Sequence, residues 1–598
     1  MVAHAPPPNA ASKLSTYFSR LNPVPGFPEY TGPHKVGTID VEIPVSDLPS
    51  PCPGADGTEE IPTVLIRVYY PATPDAKGKR ITWLPAPQRQ HLSAYGQFLG
   101  IGPTVSSLVA FLPRHLYHTS IPVLENAPLL EPPADVHKGR WPTMVFSHGL
   151  GGSRNAYSHL AGSLASHGMV VFCPEHRDGS AVSTMIPSPR NHKTPRSVEV
   201  AYRPIAHTSE PATWEARDAQ LRIRTWELAL TLEVIFAFDD DGFSKPKPPL
   251  TNLKSGTPAR SLSQFAGRLH IREPGSVIWG GHSFGAATIV QLLKLTYYAD
   301  RPEAKTKAPI FEPSADCRLR HQVTERSVMV LLDMWCFPLV SPDQAALFRL
   351  PLPCYADTPT APGGAALLAV ESDAFFKWTE HLHTKALALS PDPTAAEVSA
   401  ASFERPATGR RLAEPHFFCV RDSAHLNQSD FGILFPWLTR RVFNAREPER
   451  ALRLNVRAAL QVLRANGFRV ARTCVADLAD GDGKGANGSG SGSGSGSDQD
   501  GKLVADDDEA GLDDDPAILD RSVAEAGGID AWRWVDIIGL GRKSSLAEKR
   551  AAREEDGNGD PGSATDVEND GGEVDMQGEI EPHLAQKPAV AQVPAARF

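Results

Sequence analysis

The stretch WGGHSFGAAT, at residues 279–288, constrains this chain more than any other because it sets one serine between two glycines. The apolar pattern SVIW precedes it and predicts a strand, and AATIVQLLKLTYYA follows it and predicts a helix. A strand that turns into a helix through Gly-x-Ser-x-Gly is typical of a nucleophile elbow, whose strained turn lifts the serine hydroxyl above the edge of a sheet. We therefore interpret Ser283 as a nucleophile, against the alternative of a serine in an ordinary glycine-rich turn.

Strand and helix patterns alternate through residues 35–475. The runs TMVFSHG, MVVFCPEH, SVMVLLDMW and AALLAVES are apolar, and helix patterns such as YSHLAGSLASHG lie between them. Continuous apolar strands between helices predict an α/β fold with a mostly parallel central sheet and helices on both faces. The carboxyl ends of such strands meet at one edge of the sheet, where the loops build a site.

Three segments differ in composition. We predict a flexible N-terminal segment over residues 1–29, a catalytic domain over 30–476 and a low-complexity tail over 477–598. The tail contains a Gly-Ser alternation at 488–497 and 28 acidic against 11 basic residues, a composition that predicts disorder because it buries too little apolar surface. The rest of the chain is only mildly basic, which argues against a nucleic-acid partner.

A short apolar island, AWRWVDIIGLG, interrupts the tail near residues 530–541. Two interpretations of it are open. The favoured one is a strand or short helix that docks back on the main body, and the alternative is a motif that binds a partner protein.

Cysteine and hydropathy patterns bear on cofactors and compartment. The seven cysteines never form a CxxC pair, which argues against a disulfide framework or a thiolate zinc site, and we expect no metal and no cofactor. The first residues lack a signal-peptide pattern, and no run of about 18 apolar residues predicts a spanning helix. We expect a cytoplasmic protein whose membrane contact, if any, is peripheral. The sequence leaves the oligomeric state open.

A serine nucleophile needs a histidine as base and an acid that orients it, in the chain order serine, acid, histidine. His425 fits this order because it lies in the polar loop after the strand pattern HFFCV. His416 begins that strand and is interpreted as structural. His381 and His383 lie in a helix-like segment and are expected at the surface.

Two aspartates follow predicted strands and are candidates for the acid. Asp333 follows SVMVLL directly, and Asp373 follows AALLAV after two intervening residues. Asp333 is favoured because its neighbours are apolar, and a carboxylate without a partner would be costly to bury there. Asp373 remains the alternative, with neighbours typical of a helix cap.

A serine nucleophile also needs two backbone N–H donors for the oxyanion that forms on its target. One is expected at Phe284, directly after the serine. The other is expected at Leu150, in the loop that begins His148-Gly149 and is similar to the HG-type loops of lipases and esterases. His148 is interpreted as a support of this loop.

Five blocks, FSHGLGG, LASHGMVVFCPEHRDGSA, GGHSFGAAT, LLDMWCFPL and SAHLNQSDFG, resemble the plasma and type II intracellular platelet-activating factor acetylhydrolases. They occur in this order within residues 30–440. The resemblance implies an α/β-hydrolase fold and a calcium-independent phospholipase. The family's nucleophile, acid, base and two oxyanion donors map to Ser283, Asp333, His425, Leu150 and Phe284.

The resemblance implies a serine esterase that hydrolyses the short or oxidised sn-2 acyl group, such as acetyl, of platelet-activating-factor-like glycerophospholipids. We assign His148, Gly149, His282 and Trp335 to the substrate pocket or its support. The sequence departs from the family pattern at Leu426 in the base block and throughout the acidic tail. The alternatives are a general carboxylesterase or lipase on the same fold, and a non-catalytic binding protein.

The segment YGQFLGIGPTVSSLVAFL, residues 95–112, is apolar and carries no charge. One interpretation is a cap helix over the pocket. The other is a peripheral membrane contact, through which the enzyme draws phospholipid from a surface. The sequence favours neither.

Overall fold

We describe the fold from a computed structural model. It describes residues 26–52, 57–110, 114–187, 197–244, 249–254, 256–306, 308–395, 398–443, 447–478 and 515–540. The predictions of a flexible segment at the N-terminus, of disorder in the Gly-Ser alternation and of disorder at the end of the tail fall almost wholly outside the described residues.

Within these ranges the strands are β1 Lys35–Pro44, β2 Thr63–Ala72, β3 Arg80–Thr82, β4 Ser120–Glu125, β5 Trp141–Ser147, β6 Val170–Glu175, β7 Ser183–Pro187, β8 Ser197–Ala201, β9 Leu269–His270, β10 Val277–His282, β11 Met329–Leu332, β12 Leu367–Ser372, β13 His416–Val420 and β14 Trp532–Trp534.

The α-helices in the same ranges are α1 Gln88–Phe98, α2 Pro103–Val109, α3 Ser158–Ser166, α4 Pro211–Asp239, α5 Ala259–Ser263, α6 Phe284–Tyr297, α7 Arg318–Gln322, α8 Ala345–Phe348, α9 Asp373–Lys377, α10 Thr379–Leu389, α11 Phe431–Leu434, α12 Pro436–Phe443, α13 Pro448–Ala465, α14 Val475–Leu478 and α15 Arg521–Glu525.

Twelve strands form one sheet, in the order β14-β13-β12-β11-β10-β5-β6-β2-β1-β4-β3, with β9 paired to β5 beside this path. The six strands from β13 to β6 are parallel to one another. Strand β14 is antiparallel to β13, and β2 is antiparallel to β6 and β1. The predicted α/β fold with a mostly parallel sheet is confirmed.

Helices cover both faces of this sheet. Helix α3 packs on β2 and β6 and contacts α13, while α4 and α6 pack together over β5. Phe172 of β6 meets Phe238 of α4 edge to face, with 5.6 Å between ring centroids. Strands β5, β10, β11 and β12 are buried along their whole length. Their apolar sequence runs follow from this two-sided cover.

The apolar island packs on the main body as an edge strand. Trp532 lies opposite Val420, and Trp534 lies opposite Phe418. The Trp532 ring stacks on Phe418 with 4.7 Å between centroids, and its Nε1–H donates to the Ile518 carbonyl at 2.8 Å. The structure therefore agrees with the interpretation in which the island docks back on the main body. The boundary between catalytic domain and tail stays a prediction.

The segment that was expected to cap the pocket or to contact a membrane contains the end of α1 and all of α2. Its inner side is buried, where the Tyr95 ring stacks on Trp83 with 5.7 Å between centroids. Its outer side exposes the apolar side chains of Leu99, Ile101, Val105 and Leu108. Among the described residues, no helix combines the length and the apolar character needed to cross a membrane.

Candidate active site

Ser283 occupies the turn between β10 and α6. Its backbone has φ 55° and ψ −120°, a region that residues other than glycine rarely adopt. The Ser283 N–H donates to the Leu332 carbonyl at 2.9 Å, and the Ser283 carbonyl accepts from the Trp335 N–H at 3.2 Å. These bonds to the end of the neighbouring strand hold the strained turn in place.

The two glycines of the motif are required by close approach of backbone segments. A Cβ at Gly281 would lie 2.5 Å from the carbonyl carbon of Gly285. A Cβ at Gly285 would lie 2.0 Å from the carbonyl oxygen of Ser147, on the neighbouring strand. Both distances are far below van der Waals contact, so a larger residue at 281 would push the start of α6 away from β10, and one at 285 would push it away from β5.

His425 and Asp333 are brought together from loops 92 residues apart. The His425 Nδ1 lies 3.0 Å from Oδ2 of Asp333. The other carboxylate oxygen of Asp333 accepts from the Ser372 N–H at 2.5 Å. Asp333 itself has φ 41°, and its N–H donates to the Val370 carbonyl. The acid is therefore fixed by the ends of β11 and β12.

The alternative acid, Asp373, lies elsewhere. It begins helix α9 and forms an ion pair with Lys377 at 2.7 Å, one helical turn along. The cap of α9 is Ser372, whose Oγ accepts from the Phe375 N–H, and Asp373 is an acidic residue of the first turn. Asp333 is the carboxylate that the structure places against His425.

The His425 ring lies between other rings that fix its plane. It stacks on Phe375 with 4.2 Å between centroids and 4° between planes. The His282 ring lies 4.4 Å away, at 34°. The His425 side chain keeps 15% exposure. The imidazole is thus held in one orientation while part of its edge reaches the cavity described below.

Burial governs the protonation of the His425–Asp333 pair. It lowers the pKa of His425, and the Lys385 charge acts in the same direction, so the imidazole is neutral near neutral pH. Burial raises the pKa of Asp333 to about 6, while the Lys385 charge and hydrogen bonding from Ser372 favour the carboxylate. A carboxylate that faces a neutral imidazole accepts from Nδ1–H, which leaves Nε2 as the proton acceptor.

The predicted oxyanion loop lies against the nucleophile. A Cβ at Gly149 would lie 2.9 Å from the Cβ of Ser283, and the Gly149 N–H donates to the Tyr157 hydroxyl at 3.1 Å. Leu150 lines the same cavity as Ser283. Phe284 is the first residue of α6. Both proposed donors therefore neighbour Ser283, and their role in catalysis stays a prediction.

The two histidines next to these segments hold the local backbone and side chains. Nε2 of His148 accepts from the His176 N–H at 3.0 Å, and its Nδ1 lies 2.9 Å from the Gly149 carbonyl. Nδ1 of His282 lies 2.8 Å from the Tyr157 hydroxyl. Burial lowers the pKa of both rings. Both rings are therefore neutral near neutral pH, and the assignment of His148 and His282 as supports of the pocket stays a prediction.

Sequence reasoning missed Arg224, a buried residue of helix α4. Its guanidinium contacts the His148 carbonyl, donates to Oγ of Ser147 at 3.2 Å and lies 4.5 Å from the centroid of the Phe284 ring. It thus joins the two segments proposed to hold the oxyanion donors. The available signal was a charged residue inside the apolar pattern LRIRTWELALTL, which requires a buried partner.

Asp430 was also missed, although it belongs to the same block as His425. Its carboxylate accepts from the Trp83 Nε1–H at 2.9 Å, the Ser158 N–H at 2.8 Å and the His159 N–H at 3.0 Å. Ser158 begins helix α3, whose positive dipole end favours an anion. Burial raises the pKa of Asp430 to about 7, and these donors oppose that shift. Asp430 ties the base loop to α3 and to Trp83, whose ring packs on the cavity-lining Tyr95 and Phe431.

The expectation that His381 lies at the surface is wrong. The residue is buried, its Nε2 accepts from the Cys336 N–H at 2.9 Å, and its ring stacks on Trp378 with 4.3 Å between centroids. Helix α10 is amphipathic, and residues four apart share a face. His381 and Lys385 lie on its inner face, while His383 is exposed as expected.

Ser283 and His425 both line one cavity. Trp335 also lines it, and its ring packs edge to face on Phe284 with 5.9 Å between centroids. The cavity wall is rich in aromatic side chains, namely Tyr95, Phe98, Tyr157, Trp335, Phe375, Trp378, Phe431 and Phe435. An apolar cavity with a few polar groups at one place suits an ester whose acyl group is apolar.

The same residues include a possible metal-binding set. Ligand atoms of His282, Asp333 and His425 lie within 4.8 Å of one another. Asp333 and His425 are already joined by a hydrogen bond, and His282 is joined to Tyr157. Hydrogen bonding within the site accounts for this arrangement.

The chain also resembles known proteins. The profile of the family described as platelet-activating factor acetylhydrolase, isoform II, matches residues 21–353, which include Ser283 and Asp333. A Schizosaccharomyces pombe protein with the provisional name phospholipase A2 is 28% identical over 451 residues, covering 73% of this chain and 92% of that protein.

A vertebrate relative and a solved structure complete the comparison. The platelet-activating factor acetylhydrolase of Canis lupus familiaris is 27% identical over 294 residues, covering 48% of this chain and 53% of its own length. A ferulic acid esterase structure from Streptomyces cinnamoneus aligns over 73% of this chain and 92% of its own, with 13% identity and a TM-score of 0.37, so the fold assignment rests on the sheet and the elbow. Since the family profile matches more than half of the chain, the chain belongs to the platelet-activating factor acetylhydrolase, isoform II, family.

Proposed function

We propose that Ser283, His425 and Asp333 are the catalytic triad of this chain. Membership of the family makes the chain a phospholipid esterase of the serine-hydrolase type. The observation that carries the residue assignment is the 3.0 Å hydrogen bond between His425 and Asp333, beside a cavity that also contains the strained Ser283.

In the acylation step, Oγ of Ser283 attacks the carbonyl carbon of the sn-2 ester, and Nε2 of His425 takes the hydroxyl proton. The Asp333 carboxylate stabilises the imidazolium that forms. The backbone N–H groups of Leu150 and Phe284 donate to the tetrahedral oxyanion. Collapse of this intermediate breaks the bond to the glycerol oxygen, which receives the proton from His425 and leaves as a lysophospholipid.

In the deacylation step, water attacks the acyl group on Ser283 and gives a proton to His425. The second oxyanion collapses and breaks the bond between the acyl carbon and Oγ. The proton returns to Oγ, and a carboxylic acid leaves. One water is consumed for each ester, and the enzyme ends as it began.

We further propose that the preferred substrates carry a short or oxidised sn-2 acyl group on a platelet-activating-factor-like glycerophospholipid. The names of the relatives differ on this property, since the dog protein is an acetylhydrolase and the Schizosaccharomyces pombe protein is named for phospholipase A2. The aromatic wall beside Ser283 bounds the space for an acyl chain. A general carboxylesterase or lipase is the alternative outcome of the test.

Peripheral membrane contact through residues 95–112 is part of the proposal. Phe98 and Leu99 line the cavity, while Leu108 is 67% exposed on the outer side of the same helix pair. An apolar surface that continues from a cavity to solvent suits an enzyme whose substrate lies in a lipid layer.

The proposed function is tested by labelling the full chain with a fluorophosphonate probe and mapping the labelled peptide. We expect labelling at Ser283, and a Ser283→Ala variant without labelling and with turnover lowered at least about a thousandfold. Ser276→Ala is the matched control, because this buried serine precedes the same strand and bonds the Glu273 carbonyl, outside the cavity. Turnover that survives in Ser283→Ala would contradict the triad.

A series of sn-2 esters separates the candidate substrates. Turnover of the intact chain is measured on 1-alkyl-glycerophosphocholines that carry acetyl, hexanoyl, an oxidised nine-carbon acyl, or palmitoyl at sn-2. We expect acetyl and the oxidised acyl to give kcat/KM at least about tenfold above palmitoyl. Equal values across the series would favour the general lipase.

A further inference from the structure

A second pair of charges is buried behind the proposed triad. Glu371 is the last residue but one of strand β12, and Lys385 lies on the inner face of α10. Their side chains are both 0% exposed, and the Lys385 Nζ contacts the Glu371 carboxylate directly. Removing two charges from water is unfavourable, and the attraction between them does not reliably offset it. We therefore expect this ion pair to have a role other than stabilising the fold.

The pair touches both the acid and the base through one neighbour each. Glu371 immediately precedes Ser372, whose N–H donates to Oδ1 of Asp333. The Lys385 Nζ lies 5.0 Å from the centroid of the Phe375 ring, and Phe375 stacks on the His425 ring at 4.2 Å. Glu371 is thus linked to the acid Asp333 through the adjacent Ser372. Lys385 is linked to the base His425 through the Phe375 ring.

We propose that Glu371 and Lys385 are positioning residues that balance the charge around His425: Lys385 supports the ionised Asp333, and Glu371 cancels the part of the Lys385 charge that would oppose the imidazolium. This inference rests on the proposed function, because it concerns the base of that reaction. With both carboxylates and the lysine ionised, the cluster carries one net negative charge. Protonation of His425 during the reaction makes it neutral.

The electrostatic directions agree with this arrangement. The Lys385 charge lowers the pKa of both Asp333 and His425. Burial and the Asp333 charge raise the pKa of Glu371, and the direct contact with Lys385 opposes that rise and favours the carboxylate. Lys385 alone would favour the neutral imidazole and so weaken it as a proton acceptor. Glu371 restores the balance.

The histidine and cysteine side chains around this cluster are neutral near neutral pH. Burial lowers the pKa of His282 and His381, and it raises the pKa of Cys336 and Cys419. Asp373 and Lys377 form their own pair on α9, with the Lys377 side chain largely exposed. Within the described residues, the Lys385 charge acts on the pKa of His425, and the carboxylates bonded to His425 and to Lys385 are those of Asp333 and Glu371.

The test is the pH dependence of kcat/KM for Glu371→Gln, Lys385→Met and the double variant, with a soluble short-chain ester. The acid limb of the profile reports the proton affinity of the base. We expect its pKa to fall by about half a unit or more in Glu371→Gln, where Lys385 is left unbalanced, and to rise by a similar amount in Lys385→Met. The double variant should return to within about 0.3 unit of the parent.

The matched control is the Asp373→Asn/Lys377→Met double variant, which removes the exposed pair and should leave the limb unmoved. If Lys385→Met does not fold, the acid-limb pKa of Glu371→Gln is compared with that of the double variant. The proposal requires the pKa of Glu371→Gln to be the lower of the two. The proposal would be overturned if the variants lose stability but the acid limbs of their pH profiles coincide with that of the parent. A pair that only stabilises the fold predicts that result.

A Ser283→Ala control separates this inference from the proposed function. Turnover in Ser283→Ala would overturn the triad itself. An inactive Ser283→Ala together with unshifted limbs in Glu371→Gln and Lys385→Met would overturn only the role of the buried pair.

Discussion

The two halves of the candidate site are built in different ways. The nucleophile half is local, since β10, the turn at Ser283 and α6 are consecutive in the chain, and two glycines allow the turn. The base half is assembled from distant segments: Asp333 bonds Ser372 and His425, and Asp430 bonds Trp83. The first half depends on steric space, and the second depends on buried hydrogen bonds. They should therefore fail in different ways when altered.

The sharpest test of the base half compares its two candidate acids. Asp333→Asn keeps the shape of the side chain and removes the charge that faces His425, so we expect kcat to fall about 10³- to 10⁴-fold while KM changes by less than about threefold. Asp373→Asn is the matched control and should stay within about twofold of the parent. Steady-state kinetics measure both, and equal losses would contradict the assignment of Asp333.

The outer support of the base half is strand β14, which pairs with the strand that leads to His425. A chain that ends at residue 510 loses this strand and the buried Trp532, and we expect the free energy of unfolding to fall by about 3–5 kcal/mol. A chain that ends at residue 540 keeps the strand and is the matched control. Urea unfolding measures both chains. Coincident unfolding curves would mean that the docked strand adds nothing.

The nucleophile half should respond to added volume. Gly285→Ala places a Cβ 2.0 Å from the Ser147 carbonyl oxygen, and we expect a loss of about 3 kcal/mol in stability together with loss of fluorophosphonate labelling. Gly102→Ala is the control, because a Cβ there meets nothing within 4 Å. A Gly285→Ala protein with parental stability and labelling would show that the turn tolerates a wider spacing than the structure has.

A milder change tests the hydrogen bonds of the base loop. Asp430→Asn replaces an acceptor of several buried donors by an amide, and we expect stability to fall by about 2 kcal/mol and kcat to fall with it. Asp520→Asn is the control, since Asp520 also caps a helix, through the Ser522 N–H, but is exposed. Thermal unfolding and turnover are measured on both. A larger effect at Asp520 would contradict the proposed anchoring of the base loop.

The smallest effect is expected where neither half is touched. Leu108→Ser alters the exposed outer side of α2, so turnover of a soluble ester should be unchanged while partition to phosphatidylcholine vesicles falls about fivefold. Val198→Ser, at a 60% exposed position on the β7–β8 hairpin, is the control. Unchanged vesicle partition in Leu108→Ser would contradict the proposed membrane contact.

The contrast between the halves also explains what the sequence alone could predict. The elbow was predictable because its strand, glycines and helix are adjacent, and each has a local signature. The choice of Asp333 over Asp373 relied on apolar neighbours and on a family resemblance. Arg224 and Asp430 escaped notice because their partners lie far away in the chain, at His148 and at Trp83. Long-range hydrogen bonds leave no periodic pattern in a sequence.

The burial of His381 and Lys385 was missed for a related reason. The buried face of a short helix with alternating polar residues cannot be identified until the strand that it covers is known. The docking of strand β14 was easier to predict, because two tryptophans inside an acidic tail need an apolar surface to pack on. Its partner strand, however, followed only from the fold.

Short terminal strands close both edges of the twelve-stranded sheet. β14 at one edge spans three residues, and β3 at the other edge also spans three. An edge strand of this length presents few unpaired amide and carbonyl groups to another molecule. A chain that recruits a piece of its own C-terminal region to end its sheet thereby guards a large, strongly apolar core against growing into strand-linked aggregates.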